Sequence, residues 1–177
     1  MPPPPTQQSQ QSQQSQQSPQ CAACSGGPDD GRAAWGPSAW YVVHWLARHE
    51  PARFAPSLRA WFAALADVLP CVECRDHLRA NLAGLPPPPP PHTPAALFAW
   101  TVRLHNRVND QLGKPRVALA NARRMYAAER MSASDSRPFC AAVVAALPGS
   151  HVSPRRLRES VRRVMSSMGA GGCTKKV

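Results

Sequence analysis

The sequence predicts an all-α protein: a four-helix bundle plus a short fifth helix, with a disordered N-terminal arm and a basic helical C-terminal extension. Three observations predict it. From residue 35 onward, apolar residues recur at three- and four-residue spacing. No segment reads convincingly as a strand. The 21 prolines and a Gln/Ser-rich start mark long stretches that cannot be packed core.

Residues 1–20 are a proline run followed by repeated Gln-Gln-Ser. Such a segment buries too little apolar surface to offset its ordering entropy. It leads to Cys21 and Cys24, so residues 1–34 form a disordered arm carrying a C-x-x-C pair. Residues 35–130 form the bundle. In WGPSAWYVVHWLARHE, Trp40, Val43, His44 and Ala47 take helical spacing. Pro51 and Pro56 bracket a loop. In SLRAWFAALADVL, Leu58, Trp61, Phe62, Leu65 and Leu69 share one face of an amphipathic second helix. A third helix begins after Pro70 and ends near Gly84, which suits a left-handed cap. The polyproline bridge LPPPPPPH excludes helix. Thr93 and Pro94 supply a cap and a first-turn proline for a fourth helix that stops at Gly113. A fifth covers roughly residues 117–129. Within residues 131–177, PFCAAVVAALP suggests a short apolar helix, and Ser153-Pro154 opens a basic helix to about Met168.

The net charge of +11 is uneven. Residues 35–130 carry twelve basic and six acidic groups, and residues 151–177 carry seven basic groups against Glu159. A basic tail of this kind meets nucleic acid, an acidic partner or an anionic membrane surface, or is simply a solvated helix face. Nucleic acid would bind, if anywhere, at residues 155–163. The start shows no basic and apolar leader, and no apolar run is long enough to span a bilayer. Secretion therefore does not account for the six cysteines. In a cytosolic chain, C-x-x-C pairs point to metal or redox chemistry before structural disulfides.

Cys71 and Cys74 stand at the start of the third helix, where the helix dipole lowers a thiol pKa. That suits disulfide exchange, in which a thiolate attacks and a low-pKa thiol leaves. A zinc site would need two further ligands; Cys21 and Cys24 lie far outside zinc-ribbon spacing, and His77 sits on the same short segment. A bond across two residues closes almost no loop, so a purely structural disulfide would gain little stability. Cys140 and Cys173 have no local partner. On the fourth helix, His105, Asn106 and Asn109 form one polar stripe beside Trp100 and Leu104. The stripe suits a planar, polar-edged ligand or is an ordinary exposed face. Trp40 and His44 form a similar pair, or are core and bystander. Lys114 could meet a phosphate or the helix C-terminus.

WGPSAWYVVH, PCVECRDH and WTVRLHNRVNDQLGKP, in that order and on helices, resemble the Erv/ALR sulfhydryl oxidases over about residues 35–129. The long H-N-x-V-N-x-x-L-G-K-P string carries most of the specificity. The resemblance implies an Erv/ALR-like helical bundle, usually a homodimer, that binds FAD. Such an enzyme oxidises dithiols of protein substrates to disulfides and passes the electrons to dioxygen, giving hydrogen peroxide. By the same resemblance Cys71 takes electrons from the incoming dithiol, which requires access to solvent, and Cys74 faces the flavin and reacts with it. Trp40, His44, His105, Asn106, Asn109 and Lys114 match positions that hold FAD, and Tyr126 matches an aromatic near the adenine. Cys21 and Cys24 have the form of the family's mobile shuttle pair. Many members staple the fourth helix to the fifth with a disulfide, and the matching positions here are Val102 and Leu119. That absence is common in viral members and points to a large DNA virus. The expected location is host cytoplasm or virion, or otherwise the mitochondrial intermembrane space. The runner-up is a zinc-stabilised basic interaction module without redox activity.

Overall fold

The computed structural model describes residues 31–54, 57–90, 92–146 and 152–169. The expectations for the N-terminal arm, with Cys21 and Cys24, and for Cys173 lie outside these residues. Seven α-helices and one 3-10 turn, and no strand, make up the described residues: α1 (Arg32–His49), the turn (Pro51–Phe54), α2 (Leu58–Val68), α3 (Val72–Ala83), α4 (Pro94–Gln111), α5 (Leu119–Met125), α6 (Ala133–Ala146) and α7 (Pro154–Ser167). None of these helices is long and apolar enough to cross a membrane.

The bundle is built by the apolar faces read in the sequence. Phe54, Trp61, Phe62 and Trp100 are all at most 1% exposed, and they pack edge-to-face or tilted with centroids 4.6–5.2 Å apart where successive rings meet. Such geometry satisfies the ring quadrupoles, and truncating one ring costs roughly 3–5 kcal/mol. Ser57 caps α2 by accepting from the Ala60 N–H at 3.3 Å. Every buried indole N–H finds an acceptor. Trp100 donates to the Pro86 carbonyl and so fastens the polyproline bridge to α4, and Trp61 donates to Ser167 Oγ on α7.

Three helices end or begin differently from the sequence reading. Gly84 caps α3 with φ −87°, an ordinary helical value, so no left-handed turn is made there. Left-handed glycines are Gly169 at φ +63°, past α7, and Gly113 at φ +62°, just past α4, where the chain turns sharply back into the segment that Asn106 and Asn109 hold. Thr93 is the residue before α4, but its hydroxyl donates to the Pro90 carbonyl instead of capping the helix. The fifth helix is shorter than expected because Val117 is tied by both its N–H and its carbonyl to the Asn106 side chain. Val102 and Leu119, the positions compared above with a family disulfide, pack in one small apolar cluster with Phe98, Ala122 and Tyr126.

The C-terminal region is not a loose appendage to this core. Phe139, Cys140 and Val143 on α6, and Leu157, Val161, Val164 and Met168 in or next to α7, join the same hydrophobic cluster as α1 and α2. Pro138 lies within α6 and cannot donate. There Ser38 of α1 enters the ladder, its hydroxyl donating to the Asp135 carbonyl and accepting from the Phe139 N–H. α7 is fastened to α2 through Asp67, whose carboxylate is 3% exposed and accepts from Arg156, Ser160 and Arg79 at 2.8–3.0 Å. Arg155, Arg158 and Arg162 face solvent. Cys140 is buried and disulfide-bonded.

Candidate active site

A cavity of about 430 Å³ opens between α1, α2, α3 and α4 and is completed by Lys114, Met125 and Tyr126. Its size falls in the range of cofactor and ligand pockets, and its wall is mainly apolar with a few polar groups. Cys74 is on that wall.

Cys71 is itself the N-cap of α3. Its backbone is extended, and its sulfur accepts from the Cys74 N–H at 3.2 Å. Both sulfurs are free thiols. The hydrogen bond from the Cys74 side chain, helped by the Cys74 amide and the Arg32 charge, brings Cys71 down to about 7 against the opposing effect of burial. The same bond, together with burial, drives the Cys74 thiol far up. The reduced pair therefore holds its negative charge on Cys71 and its proton on Cys74. Arg75, nearly buried, donates to the Leu69 carbonyl at 2.6 Å and locks the first turn of α3 to the end of α2. The expectation that Cys71 faces solvent is not met: it is 2% exposed, because its sulfur folds in over its own helix end, and Cys74 is the half-buried member.

α1 and α4 together build an aromatic wall. The Trp40 and His105 rings stack at 4.1 Å and 8°. His44 lies directly behind, one turn beyond Trp40, bonded to Thr101 Oγ1 at 2.9 Å and to His105 Nδ1 at 3.0 Å. Burial, then the charge of Lys114, lowers His105 to about 4; burial, then His105, takes His44 well below its ordinary range. Both rings are neutral at physiological pH.

The polar stripe on α4 divides in two. His105 and Asn109 reach the cavity wall, as do Lys114 and Tyr126. Asn106 does not: its amide accepts from the Val117 N–H at 2.8 Å and donates to the Val117 carbonyl at 3.0 Å. Both bonds serve the loop. Asn109 also works on this loop, donating to the Pro115 carbonyl at 3.0 Å while its own carbonyl accepts from the Lys114 N–H. The two asparagines thereby set where Lys114 stands.

Several groups at the site were not singled out from the sequence, and His77 was weighed there only as a metal ligand. Trp35, His77, Gln111 and Met125 line the cavity, and Asn81 donates to Gln111 at 2.8 Å while accepting from Arg107. The helical spacing of Cys74, His77 and Leu78 could have placed His77 beside the redox pair. Thr101 and Arg75 act through partners far away or around a corner and carried no local signal.

A thiol pair at a helix start, one sulfur on the wall of an aromatic-lined cavity, defines a dithiol redox protein built around a flat ligand. The Erv1/Alr family model matches residues 37–127. The chain belongs to the Erv1/Alr family. It is 29% identical over 107 residues, 54% of this chain and 68% of the relative, to a protein of Frog virus 3 (isolate Goorha) named FAD-linked sulfhydryl oxidase 088R. It is 30% identical over 101 residues, 52% of this chain and 91% of the relative, to one of Invertebrate iridescent virus 6 named FAD-linked sulfhydryl oxidase 347L. No solved structure gives a significant match.

Proposed function

We propose that this protein is a FAD-linked thiol oxidase that forms disulfides in protein substrates and delivers the electrons to dioxygen, giving hydrogen peroxide. One observation carries the reading: Cys74 stands on the cavity wall one turn from Cys71, the thiol whose pKa is brought to about 7.

The residues fit FAD. The stacked Trp40 and His105 offer a flat face for a ring system, Tyr126 adds a second aromatic, and Lys114 offers a cation for a pyrophosphate. Trp40, His105, Asn109, Lys114 and Tyr126 would hold the cofactor directly, His44 through His105, and Asn106 through the loop. Bound FAD supplies a two-electron acceptor and the route to dioxygen, which side chains lack.

The chain's own residues do the thiol chemistry. A substrate thiolate attacks the Cys71 sulfur of the Cys71–Cys74 disulfide, a step that needs the buried start of α3 to open, and Cys74 leaves, taking up a proton. The second substrate thiol then attacks the mixed disulfide and Cys71 leaves as a thiolate. The substrate departs with a new disulfide, and the pair remains as the Cys71 thiolate and Cys74 thiol. Closing the Cys71–Cys74 bond again gives up two electrons and the Cys74 proton. In this reading Cys21 and Cys24 relay electrons from large substrates, since a tethered pair has a high effective concentration near Cys71. Two viral relatives support a viral protein; in this reading it acts in host cytoplasm or the virion.

The test is the visible spectrum of the purified protein before and after dithiothreitol in air. A flavin spectrum that bleaches as oxygen is exhausted, with peroxide accumulating, is the expected result. A colourless protein that contains zinc would return the chain to the interaction-module reading.

A further inference from the structure

His44 is buried with both ring nitrogens bonded, Nδ1 to Thr101 Oγ1 and Nε2 to His105 Nδ1. The direction of each bond follows from the Thr101 hydroxyl. That hydroxyl lies 2.7 Å from the Phe98 carbonyl oxygen, an acceptor with no proton of its own, so the single hydroxyl proton lies in that contact. Thr101 Oγ1 therefore accepts from His44, and His44 Nδ1 carries its ring's proton. His44 is neutral, as its burial requires, so its Nε2 is bare. The neighbouring His105 must then donate through Nδ1. His105 is neutral as well, which leaves its own Nε2 bare. Among the described residues no hydrogen bond is made to that nitrogen, and His105 is on the cavity wall.

We propose that Thr101 is a positioning residue: its hydroxyl orders the protons along Phe98, Thr101, His44 and His105, so that His105 offers the cavity a hydrogen-bond acceptor. The ligand group met there is a donor, an amine or a hydroxyl, and not an anionic oxygen. Of the groups on FAD, the adenine amine and the sugar hydroxyls meet this requirement and the pyrophosphate does not. The proton order stands on the geometry of the ligand-free chain, and its consequence for the cofactor rests on the flavin reading. A valine at position 101 keeps the shape and removes both the acceptor and the donor. His44 Nδ1 then has no partner, so its proton moves to Nε2 and is donated to His105 Nδ1. His105 in turn carries its proton on Nε2, and the acceptor offered to the cavity becomes a donor.

The experiment is a long-range proton–nitrogen NMR correlation of the histidine rings in the full-length, nitrogen-15-labelled, ligand-free protein near neutral pH. Signals are assigned from the spectrum of His105→Gln. The wild type is expected to show both rings protonated at Nδ1, the less common form of a free imidazole. Thr101→Val should show both protonated at Nε2, and Thr101→Ser should restore the wild-type pattern. FAD affinity should fall about tenfold in Thr101→Val, the scale of one lost hydrogen bond with an unmatched donor, and hardly at all in Thr101→Ser. Wild-type His105 protonated at Nε2, or tautomers that do not respond to valine, would overturn the proposal. If Thr101→Val fails to fold, the wild-type and serine spectra still decide the proton order. If the tautomers are as stated but FAD does not bind, the flavin reading fails and the proton order stands.

Discussion

The amide N–H of Cys74 donates to the sulfur of Cys71 at 3.2 Å, so the helix that carries the redox pair is capped by one member of that pair. A charged sulfur at this place meets the positive end of α3 and the hydrogen bonds of Cys74 together. Capping and thiolate formation are the same contact.

Thiolate absorbance of the reduced protein should therefore include a step near pH 7, the value to which Cys71 is lowered, and that step should be missing in Cys71→Ser. The folded pKa lies below the ordinary thiol value, so the thiolate is present above that pH and lost as pH falls through it. Cys74→Ala removes the side-chain hydrogen bond and should move the step upward. It should also abolish thiol oxidation while bound flavin absorbance persists.

Asp67 holds α7 and α3 to α2, and no other acidic side chain among the described residues is as buried. Asp67→Asn leaves Arg156 without its anion and takes from Arg79 one of two, since Asp76 also pairs with Arg79 at 3.0 Å. Both guanidinium groups are partly exposed, so the loss should be nearer roughly 2–4 kcal/mol than the upper end for a broken buried pair. Burial alone would raise the carboxyl pKa, but the hydrogen bonds from Arg156, Ser160 and Arg79 outweigh it and hold it below its ordinary value. Its contribution is therefore complete above the unfolded pKa of about 4 and lost as pH falls through the lower folded one. Urea unfolding at neutral and acid pH should show the asparagine variant less stable at neutral pH and less sensitive to acid.

Asn106 is expected to matter through structure and Lys114 through contact. Asn106→Ala deletes both bonds to Val117 and should cost roughly 1–3 kcal/mol of stability. It should weaken FAD binding as well, by releasing the loop. Lys114→Ala should weaken FAD binding with little change in the melting temperature. Thermal melts paired with flavin titrations separate the two. A stable Asn106→Ala with weak flavin binding would return the amide to the ligand.

How far the chain could be read depended on the range of each interaction. Leu58, Trp61, Phe62 and Leu65 announce α2 because helical spacing is a local property, and Cys71 and Cys74 announce redox chemistry because both groups lie within one turn. The apolar stripe Leu157, Val161, Val164 and Met168 is equally visible, but nothing in its spacing says that it lands on α2. Asp67 reads as one acid in an apolar stretch until Arg156, 89 positions away, is brought to it.

Residue order alone was enough for the helices, their apolar faces, the C-x-x-C at a helix start and the motif string of the family, since each depends on neighbours within a few residues. Tertiary packing decided that Cys71 turns inward and Cys74 reaches the cavity, that Asn106 ties a loop, that α6 and α7 complete the core, and that Thr101 orders two histidines. Those outcomes depend on which backbone and side-chain groups are left without water when the helices meet. A buried donor or acceptor takes whatever partner the packing brings, whatever its distance along the chain.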